Sequence, residues 1–464
     1  MSINRQSANK LAVKKLFDNS KRLPHRVHFI GIGGVSMYSL ALLSLKCGFL
    51  VGGSDREESD RTRALILRGI KVDIGNSPES VHGASVVVYS HAIQDTDPQL
   101  LEATVLGIPT LTRSEYLGIL MQKYYRRIGI SGSHGKSTTT AMLDHIFAFS
   151  GYSPTTLSGA DLPIGEPLRI GSDSLVIYEA CEYKDSFLDF FPTVAIALNL
   201  ELDHTDYFAD IGEIKQSFLK ALSLARDFAL INGDDPNLAD IKDGIACRTL
   251  TYGGSRTNDY SYSITSFTDS GYEFDISHFG SSIGSFRLNI PGVFNVGNAT
   301  AAIVTALECG LDVESVSAAI ASFGGIPRRL EYIGNRFGRR VYYDYAHHPT
   351  EIVASINTLK SITNQPLTVV FKPHTFSRTR DLWREFISAL SLADRVILCD
   401  IFSARETPIE GISSRRLADE IGRRAVYLPD EEVVEYLDLH TKGAIALMGA
   451  GDLEKIRKRI INGG

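Results

Sequence analysis

Short apolar runs recur along this chain, each followed by a polar or glycine-bearing turn and then by a stretch of helical length. This repeated strand–turn–helix pattern predicts an α/β fold. Arg26–Ile30 reads as a strand entering Gly31-Ile32-Gly33-Gly34, with an apolar helix following from Ser36 to Cys47. Val86–Tyr89 is another buried-strand run. A second strand–loop–helix opens at Ile128, passes through Ser131-Gly132-Ser133-His134-Gly135-Lys136-Ser137 and continues as a helix to Phe149. Leu175–Tyr178 and Val194–Leu198 are strands that end on polar residues. A third alternating block begins near Arg339 and contains Val341–Tyr343, Leu367–Phe371, Val396–Cys399 and Ala444–Leu447. Thr251 to Phe286 alternates polar with apolar and is rich in Tyr, Ser and Gly. It is expected to form antiparallel strands or loops covering one face of the middle domain.

With 464 residues the chain exceeds what one core organises. The segments Tyr124–Arg127 and Pro327–Gly334 serve as boundaries. The expected architecture is three domains in series: Rossmann-like 1–125, P-loop ATPase-like 126–330 and Rossmann-like 331–464. Hydrophobic residues at 44% and charged residues at 22% are ordinary for a soluble protein. A net charge of −6 gives no electrostatic case for nucleic acid or an anionic membrane, so anionic ligands must meet local sites. Cys47, Cys181, Cys247, Cys309 and Cys399 are scattered and form no CxxC pair; they read as reduced cytosolic thiols. Met1 to Pro24 is polar and basic, without the apolar segment of a secretory leader, and no apolar run approaches a membrane span. A cytoplasmic protein is expected.

The most specific local signal is Gly132-Ser133-His134-Gly135-Lys136-Ser137. Glycines let backbone N–H groups turn toward a phosphate, and the following helix adds its positive end. Lys136 would reach the β- and γ-phosphates of ATP, and the Ser137 hydroxyl would bind Mg²⁺. Ile130 stands where the usual form of this loop has its first Gly. The bland alternative is a glycine-rich turn with an incidental lysine; the flanking strand and helix argue against it. A loop of this kind also needs acids at the ends of neighbouring strands. Glu179 closes one apolar run and Asn199-Leu200-Glu201-Leu202-Asp203-His204 follows another. Glu179 and His204 could both reach a metal.

Gly31-Ile32-Gly33-Gly34 resembles a dinucleotide fingerprint with Asp55 at the distance of the ribose acid, although Ser36 replaces its last Gly. It could hold NAD, hold a UDP diphosphate, or be a tight structural turn. The separate ATP loop disfavours NAD, because hydride transfer has no use for ATP cleavage.

These motifs resemble those of the Mur ligase family nearly end to end. The first domain contributes Gly31–Gly34, Gly52-Gly53-Ser54-Asp55, Ser90-His91-Ala92-Ile93 and Arg113-Ser114-Glu115. The middle domain contributes Gly132–Ser137, Glu179-Ala180-Cys181-Glu182-Tyr183, Asn199–His204, Pro291-Gly292 with Asn295 and Asn298, and Arg328-Arg329-Leu330-Glu331. The last domain contributes Asp344–Glu351, Phe371–Thr379 and Gly449-Ala450-Gly451-Asp452. Where many members read EADESD this chain has Glu179–Tyr183 followed by Lys184, and Phe294 departs from a His common in the family.

The resemblance implies an ATP-dependent amide ligase working through an acyl phosphate. Its His348-Pro349-Thr350-Glu351 and Pro373–Thr379 segments point to the member that adds L-alanine to UDP-N-acetylmuramate. On that resemblance Lys136, Glu179, His204 and Arg329 are the catalytic candidates, and Ser137, Glu179 and His204 the Mg²⁺ ligands. Gly132–Ser137, Asn295, Asn298 and Asp344 would hold ATP. Gly31, Gly33, Gly34, Ser54, Asp55, His91 and Arg113 would hold the UDP-sugar. His348, His374 and Arg378 would line the amino-acid pocket, with the Arg378 fork suited to a carboxylate. For each C-terminal residue the competing role is a surface or interdomain ion pair. Three other functions compete: a recycling ligase adding a tripeptide to the same sugar, a nicotinamide-dependent oxidoreductase, and a P-loop switch. The oxidoreductase lacks a downstream hydride site, and the switch lacks an NKxD guanine signal. Expected partners are the small molecules alone, with oligomeric state open.

Overall fold

The computed structural model describes residues 25–204, 207–268, 270–404 and 406–461. The leader reading of Met1 to Pro24 lies outside these. The chain forms two compact units: one extends to Ser261 and takes in Ala301–Val316, the other comprises Tyr262–Thr300 and the chain from Ser317 onward.

The first unit holds two sheets. In the N-terminal one, β1 (Arg26–Ile30), β2 (Leu50–Asp55), β3 (Lys71–Ile74), β4 (Val86–Tyr89) and β5 (Thr110–Thr112) lie in the order β3-β2-β1-β4-β5. Every pairing is parallel, and the central strands β1 and β4 are mostly buried, the polar His28 of β1 included. The register sets Ile30 opposite Ser54, which brings the end of β2 beside the Gly31–Gly34 turn. The helix after that turn runs Val35–Lys46, one residue earlier than the sequence pattern suggests, because Gly34 is extended at the N-cap and Cys47 closes the last turn.

The second sheet of this unit comprises β6 (Arg126–Ser131), β7 (Thr155–Leu157), β8 (Leu168–Arg169), β9 (Leu175–Glu179), β10 (Val194–Ala197), β11 (Phe228–Asn232) and β12 (Thr249–Gly253). They are ordered β12-β11-β10-β6-β9-β7-β8, and only β8 runs antiparallel to its neighbour. The phosphate loop leaves central β6, with β9 and β10 on either side, so Glu179 and Asn199 arrive at the same sheet edge. One core serves both sheets, with Phe29, Tyr116, Tyr178 and Phe190 all buried in it. The helix Arg113–Met121 packs so closely on the turn Tyr183–Asp189 that a Cβ on Gly118 would lie 2.1 Å from the Asp189 carbonyl oxygen.

The 251–286 stretch forms strands as expected, antiparallel at β14 and β15, but its entry departs from expectation. β13 (Tyr260–Thr268) enters beside β12 in parallel, Tyr252 against Tyr260 and Gly253 against Ser261. It therefore extends the sheet edge and does not cover its face. In the second unit β14 (Gly271–His278) and β15 (Ser281–Leu288) form an antiparallel pair, with Phe274 opposite Phe286.

The C-terminal sheet has β16 (Glu331–Arg336), β17 (Arg339–Asp344), β18 (Leu367–Phe371), β19 (Arg395–Leu398), β20 (Ala425–Tyr427) and β21 (Ala444–Met448) in the order β16-β17-β21-β18-β19-β20. Only β16 is antiparallel. Alternation along β18 sends Val369 and Phe371 into one core and Val370 into the other. Met448 faces both Asp344 and Phe371, so the carboxyl ends of β17, β21 and β18 lie together, the usual ligand edge of such sheets.

Candidate functional site

The phosphate loop is shaped by its own hydrogen bonds. Gly132 has φ +135° and Gly135 has φ +86°, both in the region that favours glycine. The Asn199 side chain clamps His134 from both sides: it accepts from the His134 N–H at 2.8 Å and donates to the His134 carbonyl at 3.0 Å. Glu201 N–H donates to the Ser133 hydroxyl at 2.9 Å, and His134 Nε2 lies 3.3 Å from Glu201 Oε2. The left-handed Gly135 then starts the helix Lys136–Phe149, with buried Ser137 in its first turn.

Lys136 folds back over this loop. Its ammonium donates to the Gly132 carbonyl and to that of Ser133 at 3.3 Å. It also lies 3.4 Å from Glu182 Oε2, a carboxylate only 1% exposed. Burial works against the Lys136 charge, but the carboxylates of Glu182, Glu179 and Asp203 outweigh it and hold the ammonium above its ordinary value. His204 Nε2 stands 3.9 Å from Glu182 Oε1, and its ring packs on Tyr183 at 4.7 Å. The left-handed φ of His204 (+55°) aims it there from beyond β10.

Glu182 is therefore the hub linking Lys136 with His204, a role the sequence reading did not give it. Glu179 sits one strand-end away, accepting from Ser158 Oγ at 3.0 Å and Gly159 N–H at 2.6 Å. The only sequence signal for Glu182 is its standing as the second acid after the apolar run of β9. The Cys181 thiol, raised by burial to about 11, stays protonated between these charges.

The N-terminal glycine loop is built differently. Ser54 carbonyl oxygen accepts from Gly31 N–H at 2.8 Å and Ile32 N–H at 3.0 Å. Asp55 Oδ2 accepts from Gly33 N–H at 2.8 Å. Gly34 N–H turns to the Gly31 carbonyl at 3.1 Å. Ser54 acts on the loop through its backbone; its hydroxyl is 1% exposed and donates inward to Gln99 Oε1 at 2.8 Å. Arg113 starts the helix that packs on the Tyr183–Asp189 turn, with Ser114 Oγ donating to Asp189 Oδ2 at 2.7 Å. Burial lowers the Arg113 guanidinium against the opposing pull of Asp189 and Glu179. The half-buried His91 is lowered by burial and then by Lys184 and Arg113.

In the second unit Asn298 donates to Asn295 Oδ1 at 3.1 Å, and Asn295 donates to the Pro291 carbonyl at 2.7 Å. Both asparagines are buried on the helix Phe294–Glu308. Asp344 ends β17, 5% exposed, and accepts from Ser355 Oγ at 2.5 Å. Burial raises its carboxyl to about 6, with Ser355 and Arg329 opposing. Arg329 lies 3.8 Å from Glu351 and 5.2 Å from the Tyr345 ring centre. The residues on either side of it, Arg328 and Leu330, are both left-handed, with φ of +62° and +48°.

The two adjacent histidines divide their roles. His348 is the N-cap of the helix Pro349–Thr363, its Nδ1 accepting from Thr350 N–H at 3.4 Å in a box completed by Glu351. His347 meets His374 edge to face at 6.2 Å and feels the charge of Arg378; burial holds it neutral, at about 4. His374 stacks on Phe402 at 5.7 Å and accepts from Arg378 at 3.5 Å. Burial and then Arg378 lower His374 to about 4 as well. The structure groups His347, His374 and Arg378, and it gives His348 a capping bond.

A parallel sheet whose central strand ends in a glycine turn, a half-buried lysine and a helix start defines a P-loop nucleotide-binding protein. The chain matches the models "Mur ligase family, catalytic domain" over residues 26–125, "Mur ligase middle domain" over 130–306 and "Mur ligase, glutamate ligase domain" over 328–453. It is 41% identical over 441 residues to the UDP-N-acetylmuramate–L-alanine ligase of Acetivibrio thermocellus, covering 93% of this chain and 94% of that one. The enzyme of the same name from Caldicellulosiruptor bescii is also 41% identical, over 93% and 97% of the two chains. A crystal structure of the UDP-N-acetylmuramate-alanine ligase of Thermotoga maritima superposes with TM-score 0.80 at 25% identity, over 94% and 98%. The chain belongs to the Mur ligase family. Among the described residues no helix is long and apolar enough to cross a membrane, and all five cysteines are free.

Proposed function

We propose that this chain is an ATP-dependent amide ligase of the cytoplasm that joins L-alanine to the carboxylate of UDP-N-acetylmuramate, a step in peptidoglycan precursor synthesis. The observation that carries the reading is Lys136, 17% exposed at the head of the helix after β6, in a chain 41% identical to ligases of that name.

A carboxylate is a poor electrophile, and ATP converts it to one. The sugar's carboxylate oxygen attacks the γ-phosphorus, ADP leaves, and an acyl phosphate forms. The amine of L-alanine then adds to the carbonyl carbon, loses a proton, and phosphate departs with the former carboxylate oxygen. Both steps need positioning and charge neutralisation more than covalent help from the protein. Lys136 supplies charge to the β- and γ-phosphates once they displace the loop carbonyls it now holds. Ser137, Glu179 and His204 are assigned to Mg²⁺. Their hydroxyl, carboxylate and imidazole donors suit it, the two oxygens best, and anionic Glu182 behind them adds to the local negative charge. Bound there, Mg²⁺ would neutralise phosphate charge.

Gly31, Gly33, Gly34 and Asp55 are assigned to the UDP-sugar with His91 and Arg113, and Ser54 supports them through its carbonyl. In the second unit Asn295 and Asn298 are assigned to adenine, Asp344 to the ribose and Arg329 to the phosphates. Arg378, with His348 and His374 and with His347 beside His374, is assigned to the amino-acid pocket, Arg378 to the alanine carboxylate. A neutral imidazole can accept from the ammonium group of the amino acid: His347 can do so through Nε2, because its Nδ1 donates to the Tyr345 carbonyl at 3.0 Å, whereas the accepting nitrogen of His374 is taken by Arg378. The test is phosphate release with UDP-N-acetylmuramate, ATP and Mg²⁺ against a panel of amino acids. Release with L-alanine well above glycine, D-alanine and the tripeptide L-Ala-γ-D-Glu-diaminopimelate is expected. Preference for the tripeptide would make the protein a recycling ligase.

A further inference from the structure

We propose that Gln99 is a positioning residue for the nucleotide-sugar: its buried amide oxygen fixes Ser54, and through Ser54 the glycine loop. The inference rests on the assignment of that loop to the UDP-sugar.

Gln99 lies in the first turn of the helix Pro98–Val105, entered through an Asp97 cap that accepts the Gln99 N–H at 2.9 Å. Its side chain points under the sheet, and Gln99, His28 and Ser54 are all essentially inaccessible. The Gln99 oxygen receives two hydrogen bonds, from Ser54 Oγ at 2.8 Å and from His28 Nε2 at 3.1 Å. One acceptor thus ties β1, β2 and the helix after β4 together at the level of the loop.

Ser54 passes this constraint on. Its carbonyl takes the first two N–H groups of the loop, and its neighbour Asp55 takes that of Gly33. These bonds decide where the helix Val35–Lys46 begins, and no side chain caps that helix start. A diphosphate or carboxylate held there is sensitive to sub-ångström shifts of β2.

The trio is a costly way to fill a core. His28 Nδ1 and Gln99 Nε2 are buried without a partner. Burial pushes the His28 imidazole down to about 4, so no charge at neutral pH compensates them. Apolar side chains of the same size would satisfy folding alone; the polar trio supplies direction, which packing by itself does not.

The variants are Gln99→Met, which keeps length and removes the acceptor, and Gln99→Glu, which keeps it. Ser54→Ala, a minimal change, serves where Gln99→Met fails to fold. Binding of UDP-N-acetylmuramate is measured calorimetrically without ATP, alongside the KM values for all three substrates. Gln99→Met and Ser54→Ala are expected to weaken UDP-N-acetylmuramate about tenfold with the ATP and L-alanine KM values within twofold. Gln99→Glu is expected to stay within threefold of the unaltered protein. Unchanged sugar affinity in Gln99→Met, or in Ser54→Ala where that stands in, overturns the inference, as does an equal loss for ATP. If the unaltered protein binds no UDP-N-acetylmuramate, the loop assignment and this inference fall together. Binding without L-alanine-dependent phosphate release contradicts the proposed reaction alone.

Discussion

The two glycine loops of the first unit share one plan, strand into turn into helix, and they are furnished in opposite ways. At Gly31–Gly34 the loop N–H groups are held by a carbonyl and by the Asp55 carboxylate, with no lysine in the turn. At Gly132–Gly135 the turn opens directly on Lys136, backed by buried Glu182, and a side-chain amide holds the backbone. The contrast is chemical. A loop braced by its own acid fixes where the next helix begins, which under the proposed assignment suits a diphosphate that only needs holding. A loop with a half-buried ammonium offers full charge, needed where phosphate charge moves during the reaction.

The first way to break the comparison is Lys136→Ala. The fold should persist, because the side chain packs on loop carbonyls at the ligand edge, while phosphate release falls by about 10²–10³-fold. Steady-state release with a circular dichroism control checks this; near-normal turnover would erase the distinction between the loops. Glu182→Gln comes next. Removing the carboxylate leaves the Lys136 ammonium with burial opposed by fewer charges, and kcat should fall about tenfold to a hundredfold, the loss of one charged hydrogen bond. The KM for UDP-N-acetylmuramate is the control and should hold.

Gly33→Ala probes the other loop. A Cβ there would stand 2.9 Å from both Asp55 Oδ2 and Thr62 Cγ2, so the Asp55 brace must shift. The expected result is about a tenfold rise in KM for the UDP-sugar with the KM for ATP unchanged; the reverse pattern would exchange the two loops' ligands.

A separate effect, on stability and not on turnover, concerns Asp344, a buried acid with no full partner. Its folded carboxyl titrates at about 6, above the ordinary 3.8. The neutral form is thus favoured on folding, a contribution present below the unfolded value and lost as pH rises through about 6. Asp344→Asn should therefore stabilise the protein at pH 7 by on the order of 2–3 kcal/mol and make little difference at pH 3.5. ATP affinity should drop at the same time. Thermal melts at the two pH values measure the sign; destabilisation at pH 7 would contradict it.

Much of this was legible in the sequence because strand ends and glycine turns carry their own signals. The runs Arg26–Ile30 and Leu367–Phe371 match β1 and β18, and the Gly132–Ser137 loop does sit between β6 and a helix. What escaped is direction. Sequence spacing cannot tell which acid after β9 turns inward, and Glu182, not Glu179, holds Lys136. It cannot show that Ser54 works through its carbonyl, because the hydroxyl's partner, Gln99, is 45 residues away. His348 is a different case: Glu351 three residues on, with Pro349 between, is a capping-box signal that marks His348 as a helix cap. The parallel entry of β13 had no sequence cue, since its alternation is that of any half-exposed strand.

The central claim is that ATP activates the sugar's carboxylate as an acyl phosphate before L-alanine attacks. Its most direct test uses UDP-N-acetylmuramate labelled with ¹⁸O in both carboxylate oxygens, turned over with ATP, Mg²⁺ and L-alanine. Mass spectrometry of the released phosphate should find one ¹⁸O in each phosphate, the oxygen carried off when the amide forms. Unlabelled phosphate would mean that ATP is hydrolysed by water, and the account of this site as an acyl-phosphate ligase would be wrong.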